Sequence, residues 1–159
     1  DDSVIQTEQK DEKTNTSPLS PEQNIVHGLS VLVAEDHPVN RKLIVAFLEK
    51  LGAKVCQAVD GNEAVNAIKK NTDIDIIFMD IQMPIKDGIQ ATDEIRNLGY
   101  RGIIIACTAN NDFSTVDEYE KHGFNDTLIK PFKSSTVRDI LLKWQDFFIM
   151  PAELIPEEK

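Results

Sequence analysis

The chain has few of the residues that mark a disulfide-stabilised or membrane-spanning protein. It contains 2 cysteines among 159 residues. Cys56 and Cys107 each lie in an apolar run, so we expect two reduced, buried core residues and neither a disulfide nor a metal pair. No apolar run approaches the ~20 residues that cross a bilayer, and the first residues lack the basic-then-apolar pattern of a signal peptide. We therefore expect a soluble, cytoplasmic segment without membrane insertion.

Positive charge and glycine-rich phosphate loops are scarce as well. There are 27 Asp and Glu against 17 Lys and Arg, a formal net charge of −10 at pH 7. An acidic chain is repelled by nucleic-acid backbones and anionic membranes, so neither is an expected partner. Neither a G-x-G-x-x-G nor a P-loop pattern follows the first apolar strand. The dinucleotide-binding and nucleoside-triphosphate-binding classes are therefore excluded.

Composition divides the chain into three parts. Residues 1–26 are polar and aperiodic, which predicts a disordered linker. Residues 27–146 carry the regular hydrophobic pattern of one folded domain. Residues 147–159 form a C-terminal extension, and the apolar stretch 144–151 predicts either the packed end of the last helix or a docking or dimer surface. Because the chain begins with Asp and not with Met, we expect a segment of a longer protein.

Five apolar strands alternate with five amphipathic helices. Strands are predicted over 31–34, 53–59, 74–79, 103–107 and 126–129, and helices over 38–51, 61–68, 89–98 and 112–122, with the last beginning near Ser134 or Ser135. In the first helix the apolar positions that recur at helical spacing are Val39, Leu43, Ala46, Phe47 and Leu51. Asp60 and Glu63 predict a capping box for the second helix. This alternation is typical of an α/β fold, a (βα)5 doubly wound, flavodoxin-like parallel sheet of order 2-1-3-4-5.

Polar residues follow four of these strands at their carboxyl ends: Glu35-Asp36, Asp80, Thr108 and Lys130. These ends share one edge of a parallel sheet, and the first and third strands are neighbours in the predicted order, so Asp36 and Asp80 should meet. Three clustered carboxylates repel one another unless a cation neutralises them, which indicates a hard divalent metal, best Mg²⁺. With the Lys130 ammonium and the Thr108 hydroxyl, the set suits phosphoryl transfer to a carboxylate.

At these positions the sequence resembles the receiver domain of two-component response regulators and hybrid histidine kinases, over roughly residues 29–144. The matching positions are the acidic pair Glu35-Asp36, the acceptor Asp80 in Met79-Asp80-Ile81-Gln82-Met83-Pro84, the hydroxyl residue Thr108, and the lysine in Lys130-Pro131-Phe132. The runs 36–41 and 79–84 are most similar to receivers of hybrid kinases and multistep phosphorelays. A fused kinase is therefore expected, with the signal passing onward through a partner or through another part of the protein.

The resemblance implies a function for each position. Asp80 would accept a phosphoryl group from a phosphohistidine on a histidine-containing phosphotransfer protein or histidine kinase domain, with Lys130 and Thr108 holding the transferred oxygens. Mg²⁺ would be bound by Asp36, Asp80 and the Gln82 backbone carbonyl, with Glu35 reaching it through water. The Lys130–Pro131 bond is expected to be cis. The Gln82 and Asn110 side chains, two residues after Asp80 and Thr108, are expected to tune the phosphoryl lifetime.

One position departs from the family pattern. Thr127 stands three residues before the lysine, where many receivers carry an aromatic residue that turns inward on phosphorylation. The associated movement of the fourth helix and fifth strand is therefore not expected here. His27, His37 and His122 are interpreted as structural or solvated, because none lies on a helical bundle of the kind that a phosphodonor domain needs.

Two other functions stay open on the sequence. A pseudo-receiver would keep the fold for binding alone, although such domains usually lose the acidic pair, the acceptor or the lysine. An aspartate-nucleophile phosphatase would share the acid, the metal and a lysine. Enzymes of that class carry an Asp-x-Asp pattern that begins at the nucleophile. Here Gln82 stands at the position of the second Asp, which leaves no general acid for turnover.

Overall fold

The computed structural model describes residues 28–109 and 113–147. Strands and helices alternate along this part of the chain, as the hydrophobic pattern predicts. The strands are β1 Ser30–Ala34, β2 Lys54–Ala58, β3 Ile76–Asp80, β4 Ile103–Thr108 and β5 Asp126–Ile129. The helices are α1 Pro38–Lys50, α2 Gly61–Lys70, α3 Gly88–Asn97, α4 Phe113–Lys121 and α5 Ser134–Lys143, followed by a 3₁₀ turn, Gln145–Phe147.

All five strands are parallel and lie in the order β2-β1-β3-β4-β5, which confirms the predicted topology. The register pairs Ala34 with Met79 and Asp80 with Cys107. It also pairs Thr108 with Ile129, so the ends of β1, β3, β4 and β5 lie side by side. Sequence positions far apart in the chain therefore meet at one sheet edge.

The sheet is covered on both faces because strand side chains alternate in direction. One core packs β-strand residues such as Val33 and Phe78 against α1 and α5. The other packs residues such as Leu32 and Met79 against α2, α3 and α4. Strand β3 lies in the middle of the sheet with all five residues buried, Asp80 included. Asp80 is thus the last residue of a rigid central strand.

The apolar face predicted for α1 is only partly the core-facing one, since Phe47 and Leu51 pack against the core but Val39 and Leu43 do not. The buried residues of this helix are Ile44, Val45 and Leu48. Val39 is 66% exposed and Leu43 is 41% exposed. The helix carries apolar residues around more of its circumference than one core can cover, and spacing alone does not say which stripe faces inward. An apolar stripe on α1, Val39 and Leu43, therefore faces outward.

The burial predicted for Cys56 was wrong. Both cysteines are free, but Cys56 is exposed while Cys107 is buried. Cys56 lies on β2, which among the described strands pairs with β1 alone, at the edge of the sheet. Cys107 lies on β4, between β3 and β5. Position in the sheet decides the difference, because an edge strand lacks the neighbour that would complete its cover.

The helix caps differ in part from the prediction. Asp60 accepts a bond from the Glu63 backbone N–H at 2.8 Å, but the Glu63 side chain accepts from Val59 and not from the N-cap residue. The complete capping box is at α3, where Asp87 and Gln90 exchange bonds of 2.8 and 3.1 Å. This cap fixes the start of α3 just beyond the loop that follows Asp80.

Three sets of predictions lie outside the described residues: the linker over 1–26, the side chain of Asn110, and the C-terminal extension beyond Phe147. Of the helices in the described ranges, none has both the length and the apolar character needed to cross a membrane.

Candidate functional site

Three carboxylates meet at the carboxyl edge of the sheet. Glu35, Asp36 and Asp80 each place a carboxylate oxygen within 4.8 Å of the other two. Glu35 and Asp80 are buried, whereas Asp36 is exposed at the mouth of the cluster. The predicted meeting of the first and third strand ends is therefore realised in the structure. The cluster combines a buried floor with an open side.

Lys130 lies directly against this cluster. Its ammonium nitrogen is 2.9 Å from Asp80 Oδ1 and 3.2 Å from Glu35 Oε1. The residue follows β5, and its backbone N–H donates to the Thr108 carbonyl at 2.8 Å, which ties the end of β5 to the end of β4. The Lys130–Pro131 peptide bond is cis, as expected. The lysine thus bridges two of the three carboxylates.

The electrostatics of the cluster favour a further cation. Burial raises the pKa of Asp80 to about 7, partly opposed by the hydrogen bond from Lys130 and reinforced by the charge of Glu35. Burial lowers the pKa of Lys130, but its bond to Asp80 and both nearby carboxylates outweigh this, so that pKa is raised overall. With all groups ionised, three carboxylates and one ammonium leave a formal charge of −2. Oxygen ligands carrying that charge suit a divalent cation such as Mg²⁺.

Glycines let the backbone around Asp80 approach closely. A Cβ on Gly88 would lie 2.2 Å from the Asp80 carbonyl oxygen, and one on Gly61 would lie 2.1 Å from the Lys86 carbonyl oxygen. Instead, Gly88 N–H donates to the Ile81 carbonyl at 2.9 Å and Gly61 N–H donates to the Lys86 carbonyl at 3.0 Å. The loop between β3 and α3 is therefore held against the acceptor strand and against α2 at positions that tolerate only glycine.

The same loop contains a strained residue. Ile85 has φ of +70°, an unfavourable region for a β-branched side chain. Its side chain is exposed. Near the start of the loop, Gln82 N–H donates to Asp80 Oδ1 at 3.3 Å, while the Gln82 side chain faces solvent at the rim. Backbone strain of this kind concentrates at functional sites and persists only where surrounding contacts enforce it.

Arg41 holds the acidic pair in place, a role that the sequence did not reveal. Its guanidinium donates to the Glu35 carbonyl at 2.9 Å and to the Asp36 carbonyl at 3.4 Å. A third bond, 3.2 Å long, goes to the Gln57 side chain on β2. The signal available in the sequence was a cation in the first turn of the helix that begins two residues after Asp36.

Thr108 completes the edge and contacts α4. It is the last residue of β4 and is buried. Tyr119 on α4 donates its hydroxyl hydrogen bond to Thr108 Oγ1 at 3.1 Å. The sequence did not single out Tyr119. The available signal was that it is one of only 2 tyrosines in the chain and lies on the same helix as the apolar residues Phe113 and Val116. The Thr108 side chain, predicted as the hydroxyl residue of the site, is thus hydrogen-bonded to a tyrosine hydroxyl on α4.

The two histidines that the structure describes, His37 and His122, make different contacts. His37 is exposed in the loop before α1, where its backbone N–H donates to Glu35 Oε2 at 3.2 Å. His122 follows α4 and bonds Asp93 of α3 at 3.0 Å and Glu118 of α4 at 3.3 Å. His27 lies outside the described residues. The interpretation of all three as structural or solvated stays a prediction.

Known proteins are similar to this chain in sequence and in fold. The family model described as "Response regulator receiver domain" matches residues 31–142. The Autoinducer 2 sensor kinase/phosphatase LuxQ of Vibrio vulnificus is 38% identical over 143 residues, which is 89% of this chain but 16% of that protein. The chain therefore spans about a sixth of the length of this curated relative.

Two solved structures are similar as well. One is the receiver domain of the sensor histidine kinase PA1611 from Pseudomonas aeruginosa, which holds a magnesium ion in its active-site cleft. It is 40% identical, covers 75% of this chain and 98% of that one, and gives a TM-score of 0.68. The other is the Saccharomyces cerevisiae Ssk1 receiver domain in complex with the histidine phosphotransfer protein Ypd1, with 28% identity, coverage of 80% and 95%, and a TM-score of 0.73. The chain belongs to the response regulator receiver domain family of two-component phosphorelays.

Proposed function

We propose that Asp80 accepts a phosphoryl group from a phosphohistidine on a partner protein and that this chain thereby relays a signal. The observation that carries the proposal is the contact of Asp80 with Lys130 inside the carboxylate cluster. Asp80 offers a nucleophilic oxygen at the end of a rigid strand, and Lys130 offers the countercharge that a transferred phosphoryl group requires.

The transfer balances without an oxidant or a reductant. A carboxylate oxygen of Asp80 attacks phosphorus, an O–P bond forms and the P–N bond of the phosphohistidine breaks. The imidazole nitrogen leaves with the electron pair and takes a proton from solvent. Positive charge stabilises the equatorial oxygens during transfer, and Lys130 lies beside the attacking carboxylate to supply it. The Thr108 hydroxyl supplies a hydrogen bond from the neighbouring strand end.

Mg²⁺ is the cofactor that the site favours. Asp36, Asp80 and the Gln82 carbonyl would hold it, with Glu35 reaching it through water. When bound, Mg²⁺ neutralises charge on the phosphoryl oxygens and helps to align them. The donor chemistry supports this assignment, since all the acidic side chains are oxygen ligands and one of them is exposed toward solvent. The PA1611 receiver, a similar protein, holds magnesium in its cleft.

The partner we propose is a histidine-containing phosphotransfer protein or a histidine kinase domain. The similar Ssk1 receiver is bound to such a protein, Ypd1. On this chain, the exposed stripe of Val39 and Leu43 lies on α1, which begins two residues after Asp36. An apolar stripe next to the open side of the site is suited to a helical donor. The net charge of −10 disfavours nucleic acid as an alternative.

The wider context is also part of the proposal. We assign residues 27–146 to the receiver, supported by the family match over 31–142. A parent hybrid histidine kinase is supported by the similarity to LuxQ. A cytoplasmic location is supported by the free thiols, which a reducing compartment maintains. Residues 1–26 would then act as a linker, and docking or dimerisation through the segment that begins at Trp144 would be a separate function of the C-terminal extension.

The two rival functions have less support. A binding-only module does not need Lys130 in contact with the buried Asp80 carboxylate. Three clustered carboxylates also destabilise the folded state, and binding alone does not explain why they are present. A phosphatase needs a general acid to protonate a leaving group, and the position two residues after Asp80 is Gln82, whose amide does not titrate.

The test is incubation with acetyl phosphate, with and without Mg²⁺, followed by intact-mass measurement. We expect a single phosphoryl adduct that forms only with Mg²⁺ and is lost in Asp80→Asn. A matched control is Asp73→Asn, an exposed acid before β3, which should behave as wild type. Absence of any adduct would favour the binding-only function, and repeated turnover of acetyl phosphate without accumulation would favour the phosphatase.

A further inference from the structure

We propose that Tyr119 is a positioning residue that sets the direction of the Thr108 hydroxyl, and through it links α4 to the acceptor site. The inference deepens the proposed function and rests on it, because Thr108 is assigned there to the transferred oxygens. Its starting point is the 3.1 Å hydrogen bond from the Tyr119 hydroxyl to Thr108 Oγ1.

Both partners of this bond are buried. Tyr119 is 4% exposed and Thr108 is 7% exposed. A buried tyrosine hydroxyl requires a hydrogen-bond partner, since leaving it without one costs free energy. The ring is fixed by an edge contact with Phe124, with 5.7 Å between the ring centroids and 61° between the planes. A rigid ring therefore presents its hydroxyl to a hydroxyl at the end of β4.

The bond to Tyr119 restricts the orientation of the Thr108 hydroxyl. A threonine hydroxyl has one proton and two lone pairs. Tyr119 donates in this bond and Thr108 accepts through one lone pair, so the bond limits the directions in which the Thr108 O–H can point. Accepting a hydrogen bond also polarises the Thr108 O–H and strengthens its donation. A phosphoryl oxygen on Asp80 is an acceptor of the required kind.

The same residue is tied to Lys130. The Thr108 carbonyl accepts from Lys130 N–H at 2.8 Å, while its hydroxyl accepts from Tyr119. Any shift of Thr108 toward a phosphoryl group therefore stretches a bond that anchors it to α4. Residue 127 on β5 carries no aromatic ring, and the aromatic hydroxyl in contact with Thr108 comes from α4 instead.

The chain provides a matched control for the key substitution. Tyr100, the second tyrosine, is also buried and donates its hydroxyl to the Ile74 carbonyl at 2.8 Å. Ile74 precedes β3 at the amino edge of the sheet, the edge opposite Asp80. Tyr100→Phe therefore removes a buried hydroxyl of similar type without touching the site.

The experiment compares Tyr119→Phe, Tyr100→Phe, Thr108→Val and the double variant Thr108→Val with Tyr119→Phe. With acetyl phosphate and Mg²⁺, Tyr119→Phe should form the adduct about fivefold more slowly, the equivalent of one lost hydrogen bond. Tyr100→Phe should phosphorylate at the wild-type rate. In the Thr108→Val background, Tyr119→Phe should have no further effect, because the hydroxyl through which it acts is gone.

Two results would overturn the positioning role: a wild-type rate in Tyr119→Phe, or a full additional loss in the double variant. Three-bond couplings to the Thr108 methyl group provide a readout without phosphorylation, and Tyr119→Phe should shift the Thr108 rotamer distribution. If the wild-type chain forms no adduct, the proposed function fails, while an unchanged rotamer distribution still rejects the role of Tyr119.

Discussion

The ammonium nitrogen of Lys130 lies 2.9 Å from Asp80 Oδ1, although fifty residues of chain separate them. The contact exists because β3 and β5 are parallel strands that flank β4, so the residues at their carboxyl ends share one sheet edge. Lys130 also reaches Glu35 at 3.2 Å. One lysine therefore holds together carboxylates from two strands.

Replacing Lys130 by methionine should slow adduct formation from acetyl phosphate about 100-fold, the typical effect of removing one charge-stabilising donor. Loss of the ammonium also removes a positive charge that stabilises the ionised form of Asp80, which raises the pKa of Asp80 further. The measurement is the rate of mass increase with Mg²⁺ present. Lys42→Met, an exposed lysine on α1, serves as the control and should match wild type. Equal rates for both variants would contradict the assigned role.

Gly88→Ala should destabilise the domain by about 2–3 kcal/mol, because the added Cβ would lie 2.2 Å from the Asp80 carbonyl oxygen. Urea unfolding measures the change. Gly28→Ala is the comparison: Gly28 has φ of +80° and open space around it, so only the backbone preference is lost, about 1 kcal/mol. A Gly88 variant no less stable than the Gly28 variant would show that the loop yields without cost.

His122 should make stability depend on pH. Its hydrogen bonds to Asp93, followed by the charges of Asp93 and Glu118, raise its pKa above the ordinary value of 6.5. A raised pKa in the folded state means that the added stability is present below about pH 6.5 and is lost as pH rises through the folded-state pKa. The effect should stay under about 1 kcal/mol, because the bridge is at the surface. Urea unfolding at several pH values should therefore show that the free energy of unfolding falls more steeply with rising pH for wild type than for His122→Gln. Parallel declines in the two proteins would contradict the role of His122.

The two cysteines should differ in reactivity. Cys56 is exposed, whereas Cys107 is buried and burial raises the pKa of its thiol well above the ordinary value. A thiol reagent should label the native protein once, and a second label should appear only after unfolding. Cys56→Ser should abolish the native label and leave the second unchanged. Rapid labelling of two thiols in the folded wild type would argue that β4 opens readily.

Local patterns were sufficient for much of the fold. Strand β5 was predicted with the same ends that the structure gives it. The carboxyl ends of β1, β3, β4 and β5 marked the cluster, since parallel order brings those ends together. Local patterns were only partly right for α1, where Phe47 and Leu51 pack on the core but apolar residues on several sides made the core-facing stripe ambiguous. They failed for Cys56, whose exposure depends on its edge strand.

The sequence by itself determined the alternation of elements, the sheet order and the identity of the clustered residues, because hydrophobic period and residue chemistry are properties of the chain. Tertiary structure decided the contacts that these residues make. It placed Lys130 between Asp80 and Glu35, Arg41 on the carbonyls of the acidic pair, and Tyr119 on Thr108. Lys130 is distant in sequence from both carboxylates, whereas Arg41 and Tyr119 each lie on the helix that follows the strand they contact. In all three cases only the packed structure brings the atoms within bonding distance.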